Sequence, residues 1–76
     1  MGISLLTALA IKNNPDIYVE AGKGKNGKWA GFISCIDAKE RPRLLVSTEP
    51  IYKNSKLAQQ AMNDVIADIK VNKEIP

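Results

Sequence analysis

Five lysines stand in two short groups that a fold could bring together: Lys23, Lys25 and Lys28 in GKGKNGK, and Lys53 and Lys56 in YKNSK. Their chemistry would be phosphate neutralisation, with glycines in the first group leaving backbone N–H groups open to an anion. Lys39, Arg41 and Arg43 raise the basic residues between positions 23 and 56 to eight, against the acidic Asp37, Glu40 and Glu49. The chain's net charge of +3 is therefore concentrated in its middle. The plainer alternative is a lysine-rich turn that only keeps a small domain in solution.

Other chemistries are expected to be absent. With no histidine in the chain, imidazole acid–base catalysis, Cys–His nucleophiles and His/Cys zinc sites are excluded. Cys35 is the single cysteine; it cannot form an internal disulfide, reads as a buried structural thiol, and leans toward a reducing compartment. The carboxylates are scattered over polar positions, and Asp64 with Asp68 reads as a solvated helix face. GKGKNG lacks the spacing of a nucleotide P-loop and joins two strands, whereas a P-loop opens a helix. The expectation is a non-enzyme with no cofactor and no metal.

The lysines need elements to hold them, and the strongest is the stretch 54–70. Leu57, Ala58, Ala61, Met62, Val65, Ile66 and Ile69 recur at spacings of three and four, which makes one apolar stripe on a helix capped by Asn54 or Ser55. Lys56, Gln59, Gln60, Asn63, Asp64, Asp68 and Lys70 fall on its polar side. Residues 71–76 are expected to fray.

Upstream, residues 3–12 suit a short helix with Ser4 as its N-cap, although a buried strand over 3–11 competes, because short apolar runs cannot be typed by periodicity. The run is too short to span a bilayer and is read as neither a membrane span nor a signal peptide, so a soluble, cytoplasmic protein is the default. DIYVEA at 16–21 alternates as a strand does. The glycines and Asn26-Gly27 turn the chain into a second strand at 28–37, KWAGFISCID. Trp29, Gly31, Ile33 and Cys35 share one face of that strand, and Ala30, Phe32, Ser34 and Ile36 the other. Both faces are apolar, so alternation does not settle which one meets the helix. A longer loop at 38–42 leads to a third strand at 43–48, and Pro50 keeps the following connection out of the ladder.

Residues 1–76 thus read as a single α+β domain. A three-stranded antiparallel meander packs against a C-terminal helix, with a short N-terminal helix added. Its 45% hydrophobic and 25% charged residues are those of a folding chain, not a disordered one. In a meander the first hairpin loop and the exit of the third strand lie at one end. Lys23, Lys25 and Lys28 should therefore meet Lys53, Lys56 and the positive end of the last helix, while Lys39, Arg41 and Arg43 form a separate patch at the other end.

This helix–strand–strand–strand–helix order resembles the double-stranded-RNA-binding domain over nearly the whole chain. SLLTALA at 4–10 looks like that family's SLL-x-x-L first helix, PDIYVE at 15–20 like its P-x-Y first strand, and Phe32 like the aromatic that opens its second strand. Asn54-Ser55-Lys56-x-Ala58 is similar to its S-K-K-x-A-K start of the last helix. The resemblance implies contacts to successive grooves of an A-form duplex from the first helix, the first loop and the lysines of the last helix. Ala8 stands where that family commonly has a glutamate, the loop lacks its Pro-x-His, and only Lys56 keeps a helix-start lysine. GKWAGFI at 27–33 is also similar to the second strand of plant AP2-like and phage-integrase N-terminal DNA-binding domains, which lay a three-stranded sheet in the major groove.

Two functions follow as expectations. One is a nucleic-acid-binding module, for RNA or DNA, using Lys23, Lys25, Lys28, Lys53 and Lys56, with Arg41 and Arg43 as the weaker patch. The other is a protein-interaction module, such as a phage- or prophage-type small protein that inhibits or adapts a larger complex. That module would use Trp29, Phe32 and Tyr18 on the sheet, or a free strand edge. These aromatics could instead belong to the core. A homodimer fits either function.

Overall fold

A computed structural model describes residues 3–73. Ser4 starts the first helix, α1 (Leu5–Asn13), because its Oγ accepts the Thr7 N–H at 3.2 Å and replaces a missing intrahelical partner. The helix stops where Pro15 forces Asn14 into an extended conformation, and the Asn14 side chain then accepts the Asp16 N–H at 2.9 Å to turn the chain. Residues 3–11 are thus helical from Leu5 onward, and the competing strand is not formed. Ala8 and Ile11 are buried, whereas Leu6 is 80% exposed and Leu5 is exposed beside it. Only the Ala8–Ile11 side of this short helix lies against the core.

The strands are β1 (Ile17–Lys23), β2 (Trp29–Ile36) and β3 (Pro42–Ser47), in the order β1-β2-β3 and antiparallel throughout. Both hairpins close in the same way. Gly24 donates to the Lys28 carbonyl at 2.7 Å and Gly27, at φ 80°, donates to that of Gly24 at 3.1 Å. Asp37 donates to Arg41 at 3.0 Å, and Glu40, at φ 60°, donates to Asp37 at 2.9 Å. Each is a tight loop that ends on a left-handed residue. The second loop, 37–41 between the strand bounds, starts and ends one residue earlier than the expected 38–42 stretch. The Asp37 carboxylate accepts the N–H groups of Lys39 at 2.8 Å and Arg41 at 2.9 Å, which folds the turn tightly enough for Pro42 to begin β3 opposite Ile36. Proline is tolerated there because β3 is an edge strand.

Pairing decides which face of β2 is covered. Val19, Ile33 and Val46 align across the sheet, and Ile33 is fully buried together with Ile11 and Met62 in one cluster. The face carrying Trp29, Gly31, Ile33 and Cys35 is therefore the one under the helices. Cys35 is buried there. Between Ile33 and Ser34 the β2–β3 register shifts, so that Leu45 is the extra residue of a bulge and packs toward the core.

The second helix, α2 (Ser55–Val71), is capped by Asn54, whose Oδ1 accepts the Leu57 N–H at 2.9 Å. It lies on β1 and β2, and α1 fills the remaining width beside it, over β3. Ala58, Met62 and Ile69 are buried, with Ala61, Val65 and Ile66 partly so, while Leu57 at the stripe's margin is 43% exposed. Full burial of a side chain such as Met62 contributes about 1.5–3 kcal/mol. The helix continues through Val71, where the Asn72 N–H bonds to Ile69 and Lys12 Nζ donates to the Asn72 carbonyl at 2.8 Å. The rest of the expected frayed tail, 74–76, lies outside the described residues. No helix among the described residues is long and apolar enough to cross a membrane.

Candidate functional site

The first hairpin loop is fastened to the segment that leads into α2. Asn26 does two things at once: its Oδ1 accepts the Lys28 N–H at 3.0 Å inside the turn, and its Nδ2 donates to the Pro50 carbonyl at 3.1 Å across the molecule. Gly24 permits this contact because a Cβ there would come within 2.7 Å of the Pro50 Cβ. One step along, Trp29 and Tyr52 exchange backbone hydrogen bonds of 2.7 and 3.0 Å, so the chain returns to the sheet after its detour at Pro50.

Thr48 bridges the gap between β3 and that return. Its N–H donates to the Gly31 carbonyl at 3.0 Å and its Oγ1 accepts the Gly31 N–H at 2.9 Å. Its hydroxyl donates in turn to the Glu49 carbonyl at 3.0 Å. These bonds join the backbone of residues 24–31 to that of residues 48–52 at one rim of the sheet. Lys23, Lys25, Lys28, Lys53 and Lys56 stand on or near this frame, and all are exposed. None of these lysines pairs with a carboxylate among the described residues, and the first turn of α2 carries no acid. Glu49 is the carboxylate within the same frame. The dipole of α2 adds positive potential, although the Asn54 side chain already takes one first-turn donor.

Arg41 and Arg43 lie at the opposite end, with Lys39. Arg41 Nε is 3.6 Å from Asp37, a mostly exposed pair that stabilises little. Arg43 stands opposite Cys35 in the β2–β3 pairing and therefore on the helix side of the sheet. The aromatics do not form one patch. Trp29 belongs to the covered face and the lysine rim, whereas Tyr18 and Phe32 lie on the uncovered face with Ile36 and Leu44. On that face the Phe32 ring leans over Gly22, where a Cβ would meet it at 3.1 Å.

Sequence reading missed Asn26, Thr48 and Tyr52 as the residues that join the two lysine groups. Asn26 carried the signal of a turn residue only, because the acceptor it reaches is 24 positions away. Among the described residues no group of three or more His, Cys, Asp or Glu gathers to hold a metal ion. No family model, no curated protein and no solved structure matches this chain.

Proposed function

We propose that this chain is a non-catalytic nucleic-acid-binding module that contacts phosphates through Lys23, Lys25, Lys28, Lys53 and Lys56. The observation that supports the reading is the Asn26–Pro50 hydrogen bond together with the Trp29–Tyr52 bridge, which join the first hairpin loop to the segment before α2, the two stretches that carry these lysines. A preorganised cationic frame loses less entropy on binding than a flexible loop does. The likeness to the double-stranded-RNA-binding domain supports the same frame, since the first loop and the start of the last helix are two of the regions that resemblance assigns to the duplex. Its first-helix contact finds Ala8 buried here.

Fluorescence anisotropy against duplex RNA, duplex DNA and a single strand tests this. With three to five phosphate contacts, log K against log salt falls with a slope of about −3 to −4.5. Absence of binding to all three at low salt, or binding insensitive to salt, would end the reading.

A second reading rests on the uncovered face of the sheet. Tyr18, Phe32, Ile36 and Leu44 form an apolar surface over which no helix or strand packs among the described residues, and Leu44 is 56% exposed. Such a face suits a protein partner or a second copy of the chain. Under that reading Leu44→Asp abolishes partner capture and Lys25→Glu does not.

A further inference from the structure

We propose that the cleft between α1 and the far end of β2 and β3 binds a small apolar carboxylate, with Arg43 holding the anionic end. The cleft has a volume of about 310 Å³, within the range of small-molecule sites. Leu6, Thr7 and Ala10 of α1 line it with Leu45 of β3, and Leu6 is largely in solvent. Cys35 is at the floor. The walls are therefore mostly apolar, with a few polar groups to orient a ligand.

The charge of the cleft selects the ligand. Arg43 has no ion-pair partner among the described residues. Asp37 also lines the cleft, but its carboxylate is committed to the N–H groups of Lys39 and Arg41 and to the Arg41 guanidinium. A planar carboxylate matches the fork of Arg43, and an apolar body would lie along Leu6, Ala10 and Leu45. A dianion such as a phosphate monoester would bring its second charge against Asp37 and find no second cation in the lining. The site lies at the other end of the sheet from the lysine rim and does not depend on it.

Octanoate and octanol, both below their micelle concentrations, serve as ligands for the full chain in ¹H–¹⁵N NMR titrations. Octanoate should shift the amides of Leu6, Ala10, Cys35 and Leu45 and bind more tightly than octanol. Arg43→Gln, at an exposed position that leaves the fold intact, should weaken octanoate by about two- to fivefold and leave octanol unchanged. Ala10→Phe should fill the cleft and remove both, with a dispersed spectrum reporting that the chain remains folded. Octanoate should also slow iodoacetamide alkylation of Cys35, while Lys25→Glu changes none of these. The proposal is overturned if millimolar octanoate shifts nothing, if the shifts centre on Phe32 and Leu44, or if Arg43→Gln binds octanoate as tightly as the parent chain.

Discussion

Gly27 and Glu40 occupy equivalent places in the two hairpins, one at φ 80° and the other at φ 60°. Left-handed backbone costs a residue with a Cβ about 1–2 kcal/mol, and a glycine avoids that cost while losing more freedom on folding. Glu40→Gly is therefore expected to stabilise the chain by roughly 0.5–1 kcal/mol. Gly27→Ala should destabilise it by about 1 kcal/mol even though a Cβ there meets nothing within 4 Å, so that the cost is purely conformational. Urea denaturation of the two variants checks both signs, and equal shifts in the same direction would contradict the account. Asn54→Ala belongs to this scale too. Loss of the acceptor for the Leu57 N–H should cost about 1 kcal/mol.

Between elements, the closest approach is that of β2 to α2 at Gly31. A Cβ at this position would lie 2.6 Å from Met62 Cγ and 2.9 Å from the carbonyl oxygen of Ala58. The methionine could swing aside, but the helix backbone could not. Gly31→Ala should therefore destabilise the fold by about 1–3 kcal/mol, and Met62→Ala alone by about 2–5 kcal/mol. Because the alanine at 31 would fill part of the space left by the truncated methionine, the double variant should lose less than the two single losses together. A double-mutant cycle in urea measures that coupling. Gly24→Ala acts at a different junction, between the first hairpin and Pro50. It should weaken nucleic-acid binding without removing a charge, by separating the two lysine groups. Unchanged anisotropy titrations for this variant would show that the junction plays no part in binding.

At the scale of the molecule, the Cα extents of 37 × 29 × 18 Å are those of one helical layer on one sheet. The lysine rim, the sheet face opposite the helices and the end where the α1 cleft opens are three separate parts of the molecule's surface. Charge reversal at Lys25 and Lys56 together should reduce the salt slope of nucleic-acid binding by about 2, with little change in stability because both side chains are exposed. Leu44→Asp should leave that slope alone. If the chain self-associates through its uncovered face, this substitution should shift its sedimentation at high concentration to that of the monomer.

The elements were legible in the amino-acid order because local chemistry specifies them. The Ser4 and Asn54 caps, the two hairpin turns, the alternation in β1 and the stripe through Ala58, Met62 and Ile69 each involve residues within a few positions of one another. The meander order also followed. Tertiary contacts alone decided which face of β2 is buried, because both faces are apolar and only the docking of Met62 over Gly31 distinguishes them. They also decided that Leu5 and Leu6 point outward, since a nine-residue helix beside a seventeen-residue one meets the core along a single narrow side. The fastening of Asn26 to Pro50 belongs with these. It joins positions far apart in the chain, and nothing in the spacing of either residue announces the other.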